Sequence, residues 1–176
     1  ENNAETALNI VLTQLKTAII RHNTIQNNAG TGIGVAISGS GGPATITDNT
    51  IILCGTRGIA LSGITTATIT HNTLTGTGGS TTYHYGIEAS NSNLYLEHLN
   101  ISDFGDYGVM NHNGKDFTLK NNSIRDNGGG VTFDGYATGN TLVEYNTIEN
   151  NAETALNIGL TQLKTAIIRT NIIQNN

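Results

Sequence analysis

The residues best suited to chemistry fall on successive stretches of the chain: Glu88, His112 and Asp134. Tyr107 precedes the histidine by a few positions. A carboxylate, an imidazole and a phenol that meet in one place can take up and release protons, so these four residues are candidates for general acid–base catalysis. The alternative is a solvated surface whose polar side chains do no chemistry.

Aromatic and basic side chains flank this set and are candidates for contacting a ligand. They are Tyr85, Tyr107, Tyr136 and Lys115. Together with the acid–base candidates they form the one cluster of titratable and aromatic side chains in the sequence. The cluster can act as a site only if the fold brings distant residues onto one face, so the elements that carry these residues decide the question.

Composition restricts the class of protein. The formal net charge is −5 and 12% of the 176 residues are charged, which argues against a nucleic-acid partner. No apolar run is long enough to span a bilayer, so membrane insertion is not expected. Cys54 is the single cysteine, which excludes an intrachain disulfide and a cysteine metal cluster. We predict neither a metal nor a cofactor.

A short pattern, seen in RHNTI, TDNTI, THNTL, KNNSI and EYNTI, recurs about every 25 residues. Its third residue is Asn in six copies and Leu in one. These residues are Asn23, Asn49, Asn72, Leu99, Asn122, Asn146 and Asn171. The pattern runs through the whole chain, which indicates a repeat architecture of one domain, residues 1–176.

A larger repeat contains the smaller one. Residues 1–28 and 149–176 match at every position except Val11/Gly159, His22/Thr170 and Thr24/Ile172. The offset of 148 residues equals six of the short repeats. The two ends of the chain are therefore expected to be near-identical terminal coils of one six-coil repeat.

Each short repeat divides into three pieces in which apolar residues alternate, and this period of two is typical of strands. Two columns of inward residues follow from the alignment. One holds Ile20, Ile46, Ile69, Leu96, Leu119, Val143 and Ile168, and the other holds Ile25, Ile51, Leu74, Ile101, Ile124, Ile148 and Ile173. A third, more loosely spaced column holds Ile37, Leu61, Ala89, Phe133 and Ile158, preceded by Val35, Ile59, Ile87, Val109 and Val131.

These features predict an all-β fold: a right-handed, single-stranded parallel β-helix of about seven coils, each of roughly 25 residues and three strands. The repeated Asn lies at a corner between strands, where a left-handed residue is needed and where stacked amides can form an Asn ladder. A solvated turn Asn without a ladder is the alternative. An amphipathic helix within residues 4–19 is a second alternative for the start of the chain.

With these repeats the sequence resembles the pectate-lyase-like right-handed parallel β-helix superfamily, and in particular its carbohydrate-binding and sugar-hydrolase type repeats. The resemblance implies the fold, but it spans polysaccharide lyases, uronan epimerases, tailspikes and surface adhesins. In the enzymes, the chemistry would take place on the outer face of one sheet, where tyrosine rings could stack on sugars. Pectate lyases use an Arg base, and we expect no Arg on this face. Uronan epimerases carry Asp-Pro-His, whereas the only Pro here is Pro43, in a turn.

The near-perfect terminal repeat favours an extracellular structural or adhesive solenoid, part of a longer fibre or stacking end to end. Strand edges at the ends of a β-helix favour pairing with a further coil. The expected partners are the protein itself, end to end, and cell-surface polysaccharide. The alternative is a secreted polysaccharide-active enzyme, a polyuronide lyase or epimerase, or a non-catalytic glycan-binding module.

Overall fold

The computed structural model describes residues 5–13, 16–38, 41–78, 84–135, 139–160 and 165–176. Within these ranges every regular element is a β-strand, and the strands form three seven-stranded parallel sheets. Each sheet takes every third strand in chain order, so the backbone winds as a solenoid of seven coils. This confirms the predicted parallel β-helix with three sheets.

The first sheet carries the candidate catalytic residues. Its strands are β1 (Leu8–Thr13), β4 (Ile33–Ser38), β7 (Arg57–Ser62), β10 (Tyr85–Ser90), β13 (Tyr107–His112), β16 (Gly129–Gly135) and β19 (Leu156–Leu160). Strands β1 and β4 pair in register over six residues, from Leu8 opposite Ile33 to Thr13 opposite Ser38.

The second and third sheets complete each coil. The second contains β2 (Ala18–Arg21), β5 (Ala44–Thr47), β8 (Ala67–Thr70), β11 (Leu94–Glu97), β14 (Phe117–Lys120), β17 (Asn140–Glu144) and β20 (Thr165–Arg169). The third contains β3 (Thr24–Asn28), β6 (Thr50–Cys54), β9 (Thr73–Thr75), β12 (Asn100–Ser102), β15 (Ser123–Arg125), β18 (Thr147–Glu149) and β21 (Ile172–Gln174). Because β1 and β2 are strands, the helical alternative for residues 4–19 is wrong.

Aliphatic side chains stack in columns inside the solenoid. In the second sheet, Ile46 lies opposite Ile69, which lies opposite Leu96, and all three are fully buried. In the third sheet, Ile51 lies opposite Leu74 in the same way. Both columns have the register expected from the sequence. Each buried aliphatic side chain contributes roughly 1.5–3 kcal/mol relative to an exposed one, so these stacks provide most of the stability of the fold.

The third column departs from the expected alignment in the first sheet. Ile33, not Val35, lies opposite Ile59, and Val35 lies opposite Leu61. The expected alignment is therefore wrong by two residues at this strand. The alternating pattern could not reveal the error, because a shift of two residues leaves the inward and outward faces unchanged. In a later coil the inward position between Ala89 and Phe133 is occupied by Asn111, which is completely buried.

In every coil, the chain turns from the second sheet to the third through a left-handed residue. Between the second and third sheets these residues are His22, Asp48, His71, His98, Asn121, Tyr145 and Thr170, with φ between 53° and 58°. Each directly precedes the repeated Asn or Leu. The expectation that the repeated Asn itself is left-handed is therefore wrong. The residue before it turns the chain, which leaves the Asn free to point into the corner.

A column of glycines allows the coils to approach closely where the third sheet passes into the first. Its members are Gly32, Gly58, Gly86, Gly108 and Gly130, and a Cβ on any of them would contact a backbone carbonyl oxygen of the next coil. At Gly86 a Cβ would collide both with the Gly108 oxygen and with Ile101 Cγ2. No side chain fits at this position.

We predict that Gly86→Ala destabilises the protein by roughly 1–3 kcal/mol, because backbone must shift to admit a methyl group. Urea unfolding followed by circular dichroism measures the change. Gly159→Val is the matched control: a Cβ there meets only Asp134 Cβ, at 4.0 Å, and the equivalent residue in the first coil is Val11. The control should change stability by less than about 0.5 kcal/mol. Equal effects would contradict the close-approach explanation.

Candidate functional site

The outer face of the first sheet carries three of the four candidate catalytic residues, Glu88, His112 and Asp134. His112 and Asp134 are direct partners on adjacent strands, and His112 Nδ1 lies 2.9 Å from Asp134 Oδ1. Glu88 lies opposite Met110, two residues before His112, so it is diagonal to the histidine at roughly 7–8 Å between Cα atoms. The imidazole has a carboxylate orienting one ring nitrogen, which leaves Nε2 for proton transfer.

An arginine lies on this face, contrary to the expectation from the sequence. Arg57 opens β7 opposite Tyr85, and its Nε donates to Glu88 Oε2. Both side chains are about one-quarter to one-third exposed. Glu88 is thus an ion-paired carboxylate, and its Oε2 is occupied by the guanidinium of Arg57.

Tyr85 and Tyr107 lie in different surroundings. Tyr85 is 7% exposed, and burial, then the charge of Asp106 and its hydrogen bond, raise its pKa to about 12. It therefore stays protonated at neutral pH and can donate a hydrogen bond but cannot act as a base. The ring of Tyr107 lies directly over Gly129, its partner on β16, where a Cβ would collide with it.

A cleft of about 300 Å³ adjoins the ion pair on the side of the earlier coils. Arg57 and Glu88 line it together with small and uncharged residues: Thr6, Asn9, Thr31, Gly34, Ala60, Leu61, Ser62 and Ser90. Its hydrogen-bonding groups are hydroxyls and one amide. Such a surface suits an uncharged polyhydroxyl ligand better than a polyanion, since the only cationic group in the cleft is neutralised by Glu88.

Lys115 does not join this face. Lys115 lines a separate cleft of about 290 Å³ with Asn91, Asn93 and Asn113, at the corner between the first and second sheets. Tyr136 lies outside the described residues. The outer face of the first sheet is less exposed to solvent than an ordinary surface, since Met110 and Thr132 point outward yet are only 8% and 4% exposed.

The repeated asparagines form hydrogen-bonded stacks. Asn23 donates its backbone N–H and its Nδ2 to Asn49 Oδ1, at 3.0 and 2.9 Å, and Asn49 does the same to Asn72. A second stack runs from Asn122 through Asn146 to Asn171 with the same geometry. Four of these amides, those of Asn49, Asn72, Asn146 and Asn171, also donate to a backbone carbonyl of their own coil and to one of the coil before it. They therefore tie neighbouring coils together at the corner.

Leu99 separates the two stacks. Its backbone N–H donates to Asn122 Oδ1, but its side chain has no oxygen, so the Asn72 N–H finds no amide acceptor among the described residues. The rings of His71 and His98 stack outside this gap, with centroids 4.9 Å apart. An open groove of about 720 Å³ passes over them towards Tyr145.

A third Asn stack, also of three residues, lies at another corner and was not expected from the sequence. Asn127 donates its backbone N–H and its Nδ2 to Asn151 Oδ1, and Asn151 donates the same two groups to Asn176 Oδ1. These three residues recur at spacings of 24 and 25, the same spacings as in the stack from Asn122 to Asn171. That periodicity was the available signal, and the variation at the same corner, such as Phe104, obscured it.

Charges on the second sheet alternate along one outward row. Lys120 lies opposite Glu144, which lies opposite Arg169. The Glu144 side chain is 5% exposed and accepts from Arg169 Nε at 2.7 Å, with Lys120 Nζ at 3.3 Å. The hydrogen bond from Arg169, and then that from Lys120, hold the pKa of Glu144 below its usual value, against the opposing effect of burial. This carboxylate ties the last three coils together.

No described residues form a group of three or more His, Cys, Asp or Glu side chains able to hold a metal ion. Likewise, a helix of the length and apolarity needed to cross a bilayer is not found in the described part of the chain.

Comparison with known proteins identifies the family. The family model described as "right handed beta helix region" matches residues 1–83 and 34–176, and the two matches together cover the chain. The chain therefore belongs to the right-handed β-helix family, in agreement with the resemblance to the pectate-lyase-like superfamily. Neither a curated protein nor a solved structure matches it significantly.

We predict that Glu144 stabilises the fold above the usual Glu pKa of about 4.5 and that this contribution is lost as the pH falls through its lower folded-state pKa. The thermal midpoint of the protein should exceed that of Glu144→Gln near pH 7, and the two should converge in acid. Glu153→Gln, which removes one exposed carboxylate from a corner, is the control. A Glu144→Gln difference that persists unchanged at pH 2 would contradict the prediction.

Proposed function

We propose that the protein is an extracellular structural or adhesive β-solenoid that forms part of a longer fibre or surface protein. The observation that carries this proposal is the pattern of differences between the first coil (residues 1–28) and the last coil (residues 149–176). All inward positions of the described strands are identical in the two coils, whereas the three differences fall at exposed positions.

The exposure of these differences is clear in the structure. Val11 is 64% exposed and Ile172 is 55% exposed, and His22, Thr24, Gly159 and Thr170 are also exposed. Substitution at such positions costs little stability, whereas a change in an inward column would disturb the coils on both sides. A duplicated unit that keeps its stacking residues and varies its surface suits a rod that is lengthened by repetition.

The extracellular location is proposed on composition and on the family resemblance. Charged residues are few and Gly, Asn and Thr are abundant, as the resemblance to surface adhesins leads one to expect.

A polysaccharide-active or glycan-binding role is the second candidate. It is favoured by the His112–Asp134 pair and by the cleft beside Arg57 and Glu88, whose hydroxyl groups match those of a sugar chain. The protonated Tyr85 and the paired Glu88 weaken the case for proton abstraction, so binding without turnover is the better-supported form of this alternative.

The location and fibre form can be tested on the cells that produce the protein. Immunogold labelling with antibodies raised against the purified chain should decorate surface filaments of intact, unpermeabilised cells. A strain lacking the gene is the control. Label that appears only after permeabilisation would contradict an extracellular structural role.

The glycan alternative makes a different prediction. If the first-sheet face binds sugar, Glu88→Gln and His112→Ala should each weaken binding to a glycan array by about tenfold, the usual loss for one well-placed polar contact, without lowering the thermal midpoint by much. Lys115→Ala, in the separate cleft, should leave binding unchanged. Turnover of a polyuronide by the wild-type chain, lost in both variants, would replace the structural proposal with an enzymatic one.

A further inference from the structure

One outward row of the first sheet places a serine, a histidine and an aspartate side by side on three successive coils. Ser90 on β10 lies directly opposite His112 on β13, and His112 lies directly opposite Asp134 on β16. The three residues are far apart in the chain, and the register of the coils aligns them. A hydroxyl, an imidazole and a carboxylate in this order are the parts of a nucleophilic site for acyl transfer.

The histidine and the aspartate of this row are in contact. Asp134 Oδ1 lies 2.9 Å from His112 Nδ1, and an ionised aspartate accepts a hydrogen bond there, which leaves Nε2 as the basic nitrogen of the neutral ring. The two side chains are 39% and 49% exposed, so a substrate in solvent can reach them. The aspartate also stabilises the imidazolium that forms when Nε2 takes up a proton.

Ser90 supplies a hydroxyl on the other side of the histidine. It is partly exposed, and its backbone lies one strand spacing, about 4.8 Å, from that of His112. Its Oγ now donates to Ser62 Oγ at 3.4 Å, a long and weak hydrogen bond. Because Ser62 and His112 flank Ser90 on opposite sides, a change of the Ser90 χ1 rotamer turns this hydroxyl towards the histidine. Catalytic hydrogen bonds often tighten only when substrate is bound.

The neighbouring serine of the row has a different role. Ser62 lies between Ala36 and Ser90, neither of which has an imidazole or a carboxylate that could take its proton. Ser62 accepts the hydrogen bond from Ser90, so its own hydroxyl hydrogen remains available for an acceptor. A donor beside the nucleophile is suited to stabilise the negative oxygen that develops on a carbonyl under attack.

The cleft beside Arg57 and Glu88 leads to this row, because Ser62 and Ser90 both line it. Its hydroxyl groups and its neutralised charge suit an uncharged polyhydroxyl chain. A glycosidic bond within such a chain has no carbonyl carbon for a serine to attack. An acyl group carried on one of the hydroxyls of the chain does have one, so an O-acyl ester is the bond that fits both the cleft and the nucleophile.

We propose that Ser90, His112 and Asp134 form a hydrolytic site that removes O-acyl groups from an uncharged polyhydroxyl chain. Ser90 Oγ bonds to the acyl carbon while its proton passes to His112 Nε2, and the carbonyl oxygen takes the negative charge and accepts from the Ser62 hydroxyl. The carbonyl then re-forms as the bond from the acyl carbon to the chain oxygen breaks. That oxygen takes the proton from Nε2 and leaves as a free hydroxyl.

One water molecule completes the reaction. It gives a proton to His112 Nε2 while its oxygen bonds to the acyl carbon, and Ser90 Oγ then leaves with that proton. The products are a carboxylic acid and the free hydroxyl of the chain, with no transfer of electrons to another molecule. This activity goes beyond the structural role of the solenoid and adds covalent chemistry to a face considered so far for binding.

A fluorophosphonate probe, which phosphonylates an activated serine and releases fluoride, tests the nucleophile. We expect the purified chain to gain one probe mass, located on Ser90 by peptide mass spectrometry, and Ser90→Ala to lose it. His112→Ala should slow the labelling by about hundredfold or more, since the base that takes the proton is removed. Ser123→Ala, which removes an outward serine of the third sheet, is the matched control and should label as the wild type does. Labelling of Ser62 at the rate of Ser90, or no labelling of Ser90, would overturn the proposal.

Release of acetate from O-acetylated xylan tests the substrate class. We expect the wild-type chain to release acetate and Ser90→Ala to release none, with circular dichroism showing that both are folded. Added imidazole should restore part of the activity of His112→Ala and none of that of Ser90→Ala, a difference that a merely structural histidine would not produce. Labelling of Ser90 without acetate release would overturn the O-acyl polyhydroxyl substrate.

The role of Asp134 is separable in the same assay. Asp134→Asn should lower kcat by about hundredfold or more with little change in KM, because the amide cannot stabilise the imidazolium of His112. An unchanged kcat would overturn the assignment of Asp134. None of these outcomes depends on whether the protein is part of a surface fibre, so this inference and the proposed function can fail separately.

Discussion

Parallel pairing in register is the constraint on which the rest of this structure depends. Each coil must rise by one strand spacing, so every residue lies directly above and below its equivalents in the neighbouring coils. The side chain at each position must therefore be able to stack on the equivalent side chains of the neighbouring coils. Aliphatic side chains and amides stack well upon themselves, which is why the interior holds columns of Ile and Leu and the corners hold stacks of Asn.

Charged residues cannot follow the same rule, because like charges in one column repel. The structure alternates them instead. Lys120, Glu144 and Arg169 follow one another along the second sheet, and Arg57 and Glu88 pair across two coils of the first. The same register that makes the interior repetitive makes the charged surface a series of cross-coil pairs. The candidate acid–base residues are part of this series.

Much of the fold could be predicted from the sequence because its signals are periodic. The apolar columns of the second and third sheets were aligned correctly, since the repeated NTI pattern fixes their position. The first sheet was aligned less well. Its strands start after loops of unequal length, and an alternating pattern such as that of residues 33–37 fits its neighbours equally well after a shift of two. Only the backbone hydrogen bonds decide between Ile33 and Val35 as the partner of Ile59.

The site was harder to predict than the fold for a related reason. The outward face of Glu88, His112 and Asp134 follows from alternation, but their partners depend on the strand ends. Alternation counted back from Ile59 would point Arg57 inward, so it does not reveal that the Arg57 side chain reaches Glu88. Nor does any pattern in one sequence show that Tyr85 is buried beside Asp106.

The placement of this site within the repeat links the two proposed functions. Arg57, Glu88, His112 and Asp134 lie on the middle coils, whereas the terminal coils that duplicate one another carry Val11 and Gly159 on the equivalent face. A rod built from such units would therefore present the first-sheet cleft once per period, at intervals of roughly 29 Å if each coil rises by about 4.8 Å. Regular spacing of this kind turns weak binding at single sites into strong attachment along a polymer. A structural solenoid and the proposed glycan-binding face are thus compatible: the interior columns set the spacing, and the exposed cross-coil pairs would provide the binding contacts.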